Sequence, residues 1–221
     1  MPDNTDERLA AQAEMVSRVA HDLRTPLSAL LGMVQTMQRK TLDADVTQQF
    51  LRRMEISCFK MESLIADVSA LAQLDAGRLP LHREEIDVTA LLAEVRRSAA
   101  GDIVVDADHV PPFVSDHARV AQVLGRLVDN ALRYSSAPPV LSVRTEPQAV
   151  VFEVADDGEG PSPEHADRIW ERFFQVPGDR KRGRSGLGLA VASELSAWLG
   201  GDVQLECQPG RCVFSLRLPV A

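Results

Sequence analysis

Two stretches of this chain, more than a hundred residues apart, carry side chains that can do chemistry. The first is His21-Asp22-Leu23-Arg24-Thr25-Pro26-Leu27. A neutral imidazole nitrogen can attack a phosphorus atom when its ring is held in one tautomer. Asp22 can accept a hydrogen bond from the other ring nitrogen and so raise the nucleophilicity of His21, as the acid of a catalytic triad does. In a helix Thr25 lies one turn from His21 on the same face, where its hydroxyl can orient a water. Pro26 removes a backbone donor and crowds the carbonyl of Asp22, which predicts a bend there.

The second stretch carries the parts of a phosphate-handling pocket. Asn130 stands in Leu-Val-Asp-Asn-Ala-Leu-Arg-Tyr, and its amide oxygen is a hard ligand for a magnesium ion that bridges phosphates. Arg133 can pair with a phosphate, and Tyr134 can stack on a base. Asp156-Asp157-Gly158-Glu159-Gly160 follows an apolar run. The Asp156 carboxylate can accept from an exocyclic amine, which favours adenine over guanine. Gly158 and Gly160 let the backbone turn tightly and a flat ring approach. In Gly186-Leu187-Gly188-Leu189, glycines at a helix start expose N–H groups and the positive dipole end to phosphate. Arg180, Lys181, Arg182 and Arg184 form a basic loop upstream, either a lid over a triphosphate or a solvated charge run. Ile169-Trp170-Glu171-Arg172-Phe173-Phe174 packs such a lid, docks on a helical domain, or belongs to the core.

The elements that must position these groups are legible in the hydrophobic pattern. Val16, Val19, Leu23, Leu27, Leu30, Val34 and Met37 recur at steps of three and four, a helical stripe of coiled-coil type. Lys40 to Asp45 breaks it. A second stripe follows through Met54, Cys58, Met61, Ile65 and Val68, with Leu51, Leu64 and Leu71 beside it, ended by Gly77 and Pro80. The expectation is an antiparallel helical hairpin whose apolar stripe is too wide for one copy, so that two copies make a four-helix bundle and the chain is a homodimer. An intramolecular hairpin packed on the second domain is the alternative. Further on, helices are expected at 88–98, 118–133 (capped by Ser115 or Asp116) and 185–199. Strands are expected at 103–105, 140–144, 150–154, 203–207 and 212–218, the last two paired around Pro209-Gly210. That order gives an α+β sandwich with helices on one face. The domains read as 1–77, a linker at 78–85, and 86–221.

Composition narrows the classes. The net charge of −8 argues against generic binding to nucleic acid or anionic membrane. No apolar run approaches the roughly 20 residues of a membrane span, and the polar, acidic start is not a signal peptide. The expectation is a soluble, cytosolic chain. Cys58, Cys207 and Cys212 lie in apolar patterns without metal spacing, which reads as reduced core thiols.

The stretch from His21 to Leu27 resembles the H-box of the dimerisation and phosphotransfer domain of sensor histidine kinases. The stretches around Asn130, Asp156, Ile169–Phe174 and Gly186–Leu189 resemble the N, G1, F and G2 boxes of the GHKL-type catalytic domain, in the same order. The resemblance spans nearly the whole chain from about residue 10 onward. It implies a hairpin followed by a GHKL sandwich. It implies ATP as substrate with Mg²⁺ held by Asn130, and adenine held by Asp156. Phosphates would lie at Gly186, Leu187 and Gly188. It further implies His21 as the phosphorylated residue, Asp22 as general base, Thr25 in dephosphorylation, and a response-regulator receiver domain as the partner that accepts the phosphoryl group on an aspartate.

Three departures from the family pattern stand out: Arg126 where an earlier Asn is common, Gly183-Arg184 where paired glycines precede the G2 box, and Pro161 after the G1 box. They leave open a rival reading. In it the ATP site is degenerate, and the chain is an adaptor or phosphatase that docks a receiver domain. A GHKL ATPase or serine kinase without a histidine step is a third reading, opposed by the complete stretch from His21 to Leu27.

Overall fold

In this computed structural model, residues 4–107, 110–177 and 185–220 are described, the first eleven of them by backbone alone. The chain divides into two compact units, with the break between Asp75 and Ala76.

The first unit is the expected hairpin. Helix α1 runs Asn4–Arg39 and α2 runs Ala44–Asp75, and they pack along one another. Asp43 starts α2, its carboxylate accepting from the Val46 N–H at 2.8 Å. Pro26 lies inside α1, which remains one helix through it. The α1 stripe divides in two. Val19, Leu23, Leu30 and Met37 are half-buried, whereas Val16, Leu27 and Val34 are exposed. On α2, Leu51, Ile56, Phe59 and Ile65 are exposed as well.

The second unit is an α+β sandwich. Its main sheet has the order β2-β4-β5-β7-β6, from β2 (Val104–Ala107), β4 (Val140–Glu146), β5 (Ala149–Asp156), β6 (Asp202–Gln208) and β7 (Arg211–Pro219). Only β2 and β4 run parallel; the other pairs are antiparallel. Among the described residues it is accompanied by the α-helices α3 (Val88–Ser98), α4 (His117–Tyr134) and α5 (Gly188–Trp198). The α4 helix packs on α3, α5 and β5. It buries Val120, Val123, Leu124, Leu127, Val128 and Ala131, the i, i+3, i+4 pattern of an amphipathic helix. Asp116 is its cap, accepting from the Arg119 N–H at 3.1 Å and the His82 N–H at 2.9 Å. Central β5 is buried on both faces, with Val150, Val151, Phe152 and Val154 at its core.

Two details depart from expectation. A small second sheet pairs β1 (Glu84–Ile86) with β3 (Phe113–Ser115); three-residue strands are too short to show alternation. Helix α5 starts at Gly188 rather than residue 185, because Gly186 has a φ of +71°, which no right-handed helix accommodates.

The cysteine expectation is corrected. Cys207 and Cys212 are joined by a disulfide, and Cys58 is exposed and free. The β6–β7 register sets Cys207 directly opposite Cys212. Their Cα atoms are 4.2 Å apart, the close spacing of a narrow antiparallel pair.

Candidate functional site

The candidate residues divide between the two units. On α1, Asp22 Oδ1 lies 3.1 Å from His21 Nδ1, with side-chain exposures of 13% and 76% respectively. With Nδ1–H donating to Asp22, Nε2 keeps its lone pair and projects on an exposed ring. The Thr25 hydroxyl donates to the His21 carbonyl at 3.4 Å, so in this rotamer it is turned back onto its own helix.

In the second unit the chemistry gathers where α4, β5 and α5 end or begin. Asn130 is half-buried on α4, one turn beyond Arg126 and one turn before Arg133 and Tyr134. The Arg126 side chain passes close to Gly188, the first residue of α5: a Cβ built there would lie 3.6 Å from Arg126 Cδ. Arg126 also pairs with Asp129 at 3.5 Å. The stripe Arg126–Asn130 therefore lies on the side of α4 that faces the start of α5. Arg133 stacks over the Tyr134 ring at 5.5 Å.

Asp156 ends β5, 8% exposed, and accepts from the Gly158 N–H at 2.8 Å. Burial, opposed by that hydrogen bond and helped by the neighbouring Asp157 charge, raises its pKa above the ordinary carboxylate value. The second carboxylate oxygen remains an acceptor for an amine donor. Gly158 fits between two elements: a Cβ there would lie 2.7 Å from Asp156 Oδ1 and 3.3 Å from Tyr134 Cβ. Gly160 has a φ of +71°. A Cβ at Gly160 would lie 2.5 Å from Cys207 Sγ and 2.7 Å from Cys212 Sγ.

Asp157 joins these pieces, and sequence reasoning gave it no role. Its carboxylate accepts from Ser135 Oγ at 2.6 Å, from the Ser136 N–H at 2.7 Å, and from Ser136 Oγ. Those hydrogen bonds hold its pKa well below the usual carboxylate range. The end of α4 is thereby tied to the loop after β5. The partners are more than twenty residues apart, and no local pattern announces such a pair.

The Gly186 turn is held from the other side. The Phe173 N–H donates to the Gly186 carbonyl at 2.9 Å. A Cβ at Gly186 would lie 2.6 Å from the Phe174 carbonyl oxygen. Phe173 has a φ of +65°, an uncommon conformation for a bulky residue. Arg172 forms a bidentate ion pair with Glu194 of α5, with Nε donating to Oε1 at 2.6 Å. Trp170 packs edge-on against Phe214 of β7, with ring centroids 6.0 Å apart. The aromatic stretch is thus half-buried on α5 and the sheet. The basic loop from Arg180 to Arg184 lies outside the described residues.

Among the described residues no group of three or more His, Cys, Asp or Glu side chains could cage a metal. The amide oxygen of Asn130 is of the hard kind that a magnesium ion takes.

Comparison with known proteins accounts for both units. Residues 11–77 match the model of the His Kinase A (phospho-acceptor) domain. Residues 115–221 match that of the histidine kinase-, DNA gyrase B- and HSP90-like ATPase. The chain belongs to the sensor histidine kinase family. Among curated histidine kinases it is 31% identical over 220 residues to the probable sensor histidine kinase TcrY of Mycobacterium tuberculosis, covering 94% of this chain and 46% of that protein. It is 29% identical over 225 residues to the sensor-like histidine kinase SenX3 of the same species, covering 95% of this chain and 54% of that one. The chain thus spans about half the length of the curated relatives it matches. Of solved histidine kinases, AdeS of Acinetobacter baumannii has a TM-score of 0.64 at 26% identity, covering 90% of this chain and 98% of that one. ShkA, solved with AMPPNP, has a TM-score of 0.61 at 27% identity, covering 95% of this chain and 46% of that one. The GHKL-type histidine kinase fold, a helical hairpin followed by an α/β sheet domain, is the fold of this chain. The ATPase domain implies ATP binding in the second unit. No described helix is long and apolar enough to cross a membrane.

Proposed function

We propose that this chain is an ATP-dependent protein histidine kinase core. His21 takes the γ-phosphoryl group of ATP and passes it to an aspartate on a response-regulator receiver domain. Asp22 draws the Nδ1 proton, so Nε2 attacks the γ-phosphorus and the bond to the β-phosphate oxygen breaks. Asp156 accepts from the adenine amine, and the Gly186-Leu187-Gly188 turn and the start of α5 hold phosphates. Asn130 holds Mg²⁺, which neutralises phosphate charge, while Arg133 and Tyr134 contact phosphate and base. Gly158 and Gly160 leave room for the ring. Thr25, on rotating from its backbone acceptor, positions water for dephosphorylation of the regulator.

The exposed apolar face of α1 and α2 supports a homodimer through a four-helix bundle, with domains at 1–77 and 86–221 joined by 78–85. The cytosol, which supplies ATP, is the proposed location. The observation that carries the reading is the imidazole of His21, with Nδ1 engaged by Asp22 and its ring exposed. It stands in a chain whose second unit carries a buried Asp156 beside two close-packed glycines.

The test is labelling with γ-labelled Mg-ATP of the parent, His21→Ala and Asn130→Ala. Acid-labile, alkali-stable label on the parent and on neither variant is expected. Label persisting in His21→Ala sinks the reading. The Arg126 side chain beside Gly188 favours one alternative, an adaptor or phosphatase with a weakened ATP site. A sharp rise in labelling from near zero in Arg126→Asn would support it.

A further inference from the structure

We propose that Cys207 and Cys212 form a reversible redox site that sets nucleotide affinity through the Asp156–Gly160 loop. The inference rests on that loop being the adenine site, as proposed above. Four observations carry it. Cys212 pairs in register with Asp156 on one side and with Cys207 on the other, so the carboxylate and both sulfurs lie in one row at the end of three adjacent strands. Both sulfurs occupy the space that a side chain at Gly160 would need, 2.5 and 2.7 Å from a Cβ built there. Cys212 Sγ lies 3.6 Å from the Gly158 carbonyl oxygen, a packing contact, since a bonded sulfur has no hydrogen to donate. Cys207 is exposed and Cys212 buried, so a reductant reaches the bond from the Cys207 side.

Bonded sulfurs lie about 2 Å apart, whereas two non-bonded heavy atoms need roughly 3.5–4.0 Å. Reduction must therefore move a sulfur. Gly158 and Gly160 stand against the pair, and the loop they form yields. The bond joins residues only 5 apart in sequence. Closing so short a loop constrains the unfolded chain less than a long one does, so the consequence is local. A dithiol reductant supplies the two electrons. Its thiolate bonds to the Cys207 sulfur, the Cys207–Cys212 bond breaks, and Cys212 leaves and takes a proton. The reductant's second thiol then displaces Cys207 and leaves the reductant as a disulfide. Hydrogen peroxide reverses the change: one thiol, attacking as its thiolate, becomes a sulfenic acid while its proton leaves with the released hydroxide as water, and the other thiol condenses with the sulfenic acid, releasing a second water.

The experiment uses the full chain carrying Cys58→Ser, so that the only other thiol is gone. Affinity for Mg-ATP and amide exchange of residues 156–160 are measured after peroxide and after dithiothreitol, with thiol titration confirming each state. Binding at least threefold weaker on reduction, with faster exchange in the loop, is expected. Cys207→Ser should match the reduced form under both treatments. Equal affinity and equal exchange in both states overturn the proposal, as does a redox shift that survives Cys207→Ser or a thiol pair that peroxide does not close. Loop exchange that follows redox state in a protein that binds no nucleotide in either form overturns the link to affinity together with the adenine reading, and leaves the coupling of the pair to the loop.

Discussion

The two units meet the hydrophobic effect in opposite ways. The sheet unit completes its core within one chain: Phe152, Leu124, Leu141, Leu195 and Leu216 are all fully buried. The hairpin does not. Phe59 keeps 59% of its surface and Ile65 keeps 55%, in an array far denser than the scattered apolar residues of an ordinary surface. The chemistry divides the same way. Asp156 is buried and fixed by its own loop, which suits the ligand contact proposed for it. His21 is exposed on a long helix, which suits the relay role proposed for it. One unit is finished by its own folding, and the other leaves an apolar face for the association proposed above.

The largest expected effect breaks this contrast at its base. Phe152→Ala should cost the sheet unit about 3–5 kcal/mol, read as a drop in its denaturation midpoint. Val34→Asp with Ile65→Asp should leave that midpoint unchanged and convert a dimer to a monomer in sedimentation. If the pair of aspartates unfolded the hairpin in the monomer, the idea that this face waits for a second copy would fail.

Next in size is Gly186→Ala. The left-handed backbone at Gly186 and the Phe174 carbonyl against it make a side chain cost of the order of 1–3 kcal/mol. The expected readout is weaker nucleotide binding by the isolated second unit or the whole chain, with His21 exposure to chemical modification unchanged.

The smallest effect sharpens the contrast. Asp157→Ala should raise KM for ATP several-fold with little change in kcat, and Asp157→Asn should restore most of it through its amide oxygen. A pH titration adds a check. The folded pKa of Asp157 is depressed, so the folded state binds fewer protons than the unfolded one. The stability it lends is whole above the unfolded carboxylate pKa of about 4 and drains away as pH falls below that value. In Asp157→Asn this acid-side loss should be missing.

Much of the architecture was legible because periodic burial leaves periodic sequence. Helix α3 falls on 88–98 as expected, and the β6–β7 hairpin brackets the expected turn at Pro209-Gly210. Asp116 was one of two candidate caps and is the one used. The roles proposed for His21 and Asn130 came from residue type and order, not from burial. What stayed hidden depends on tertiary register. The disulfide follows from the β6–β7 pairing, and its signal was present: two cysteines flanking Gln-Pro-Gly-Arg at equal distance from the turn. Metal spacing alone does not expose it; opposition across a hairpin does. Asp157 binding Ser135 and Ser136 had no such signal, since an acidic residue in a glycine-rich turn has many uses.

The row formed by Asp156, Cys212 and Cys207 across β5, β7 and β6 also limits how this pocket can be moved or redesigned. Alternate residues of a strand face opposite ways, so a shift by one position inverts everything it carries. Inserting a single residue between Ala149 and Asp156 would turn the carboxylate proposed to meet adenine to the wrong side, whatever loop followed. A transplant of the five-residue loop alone would lack the strand ends that aim it and the two serines that hold it. The smallest portable unit is three strand ends together with the end of α4.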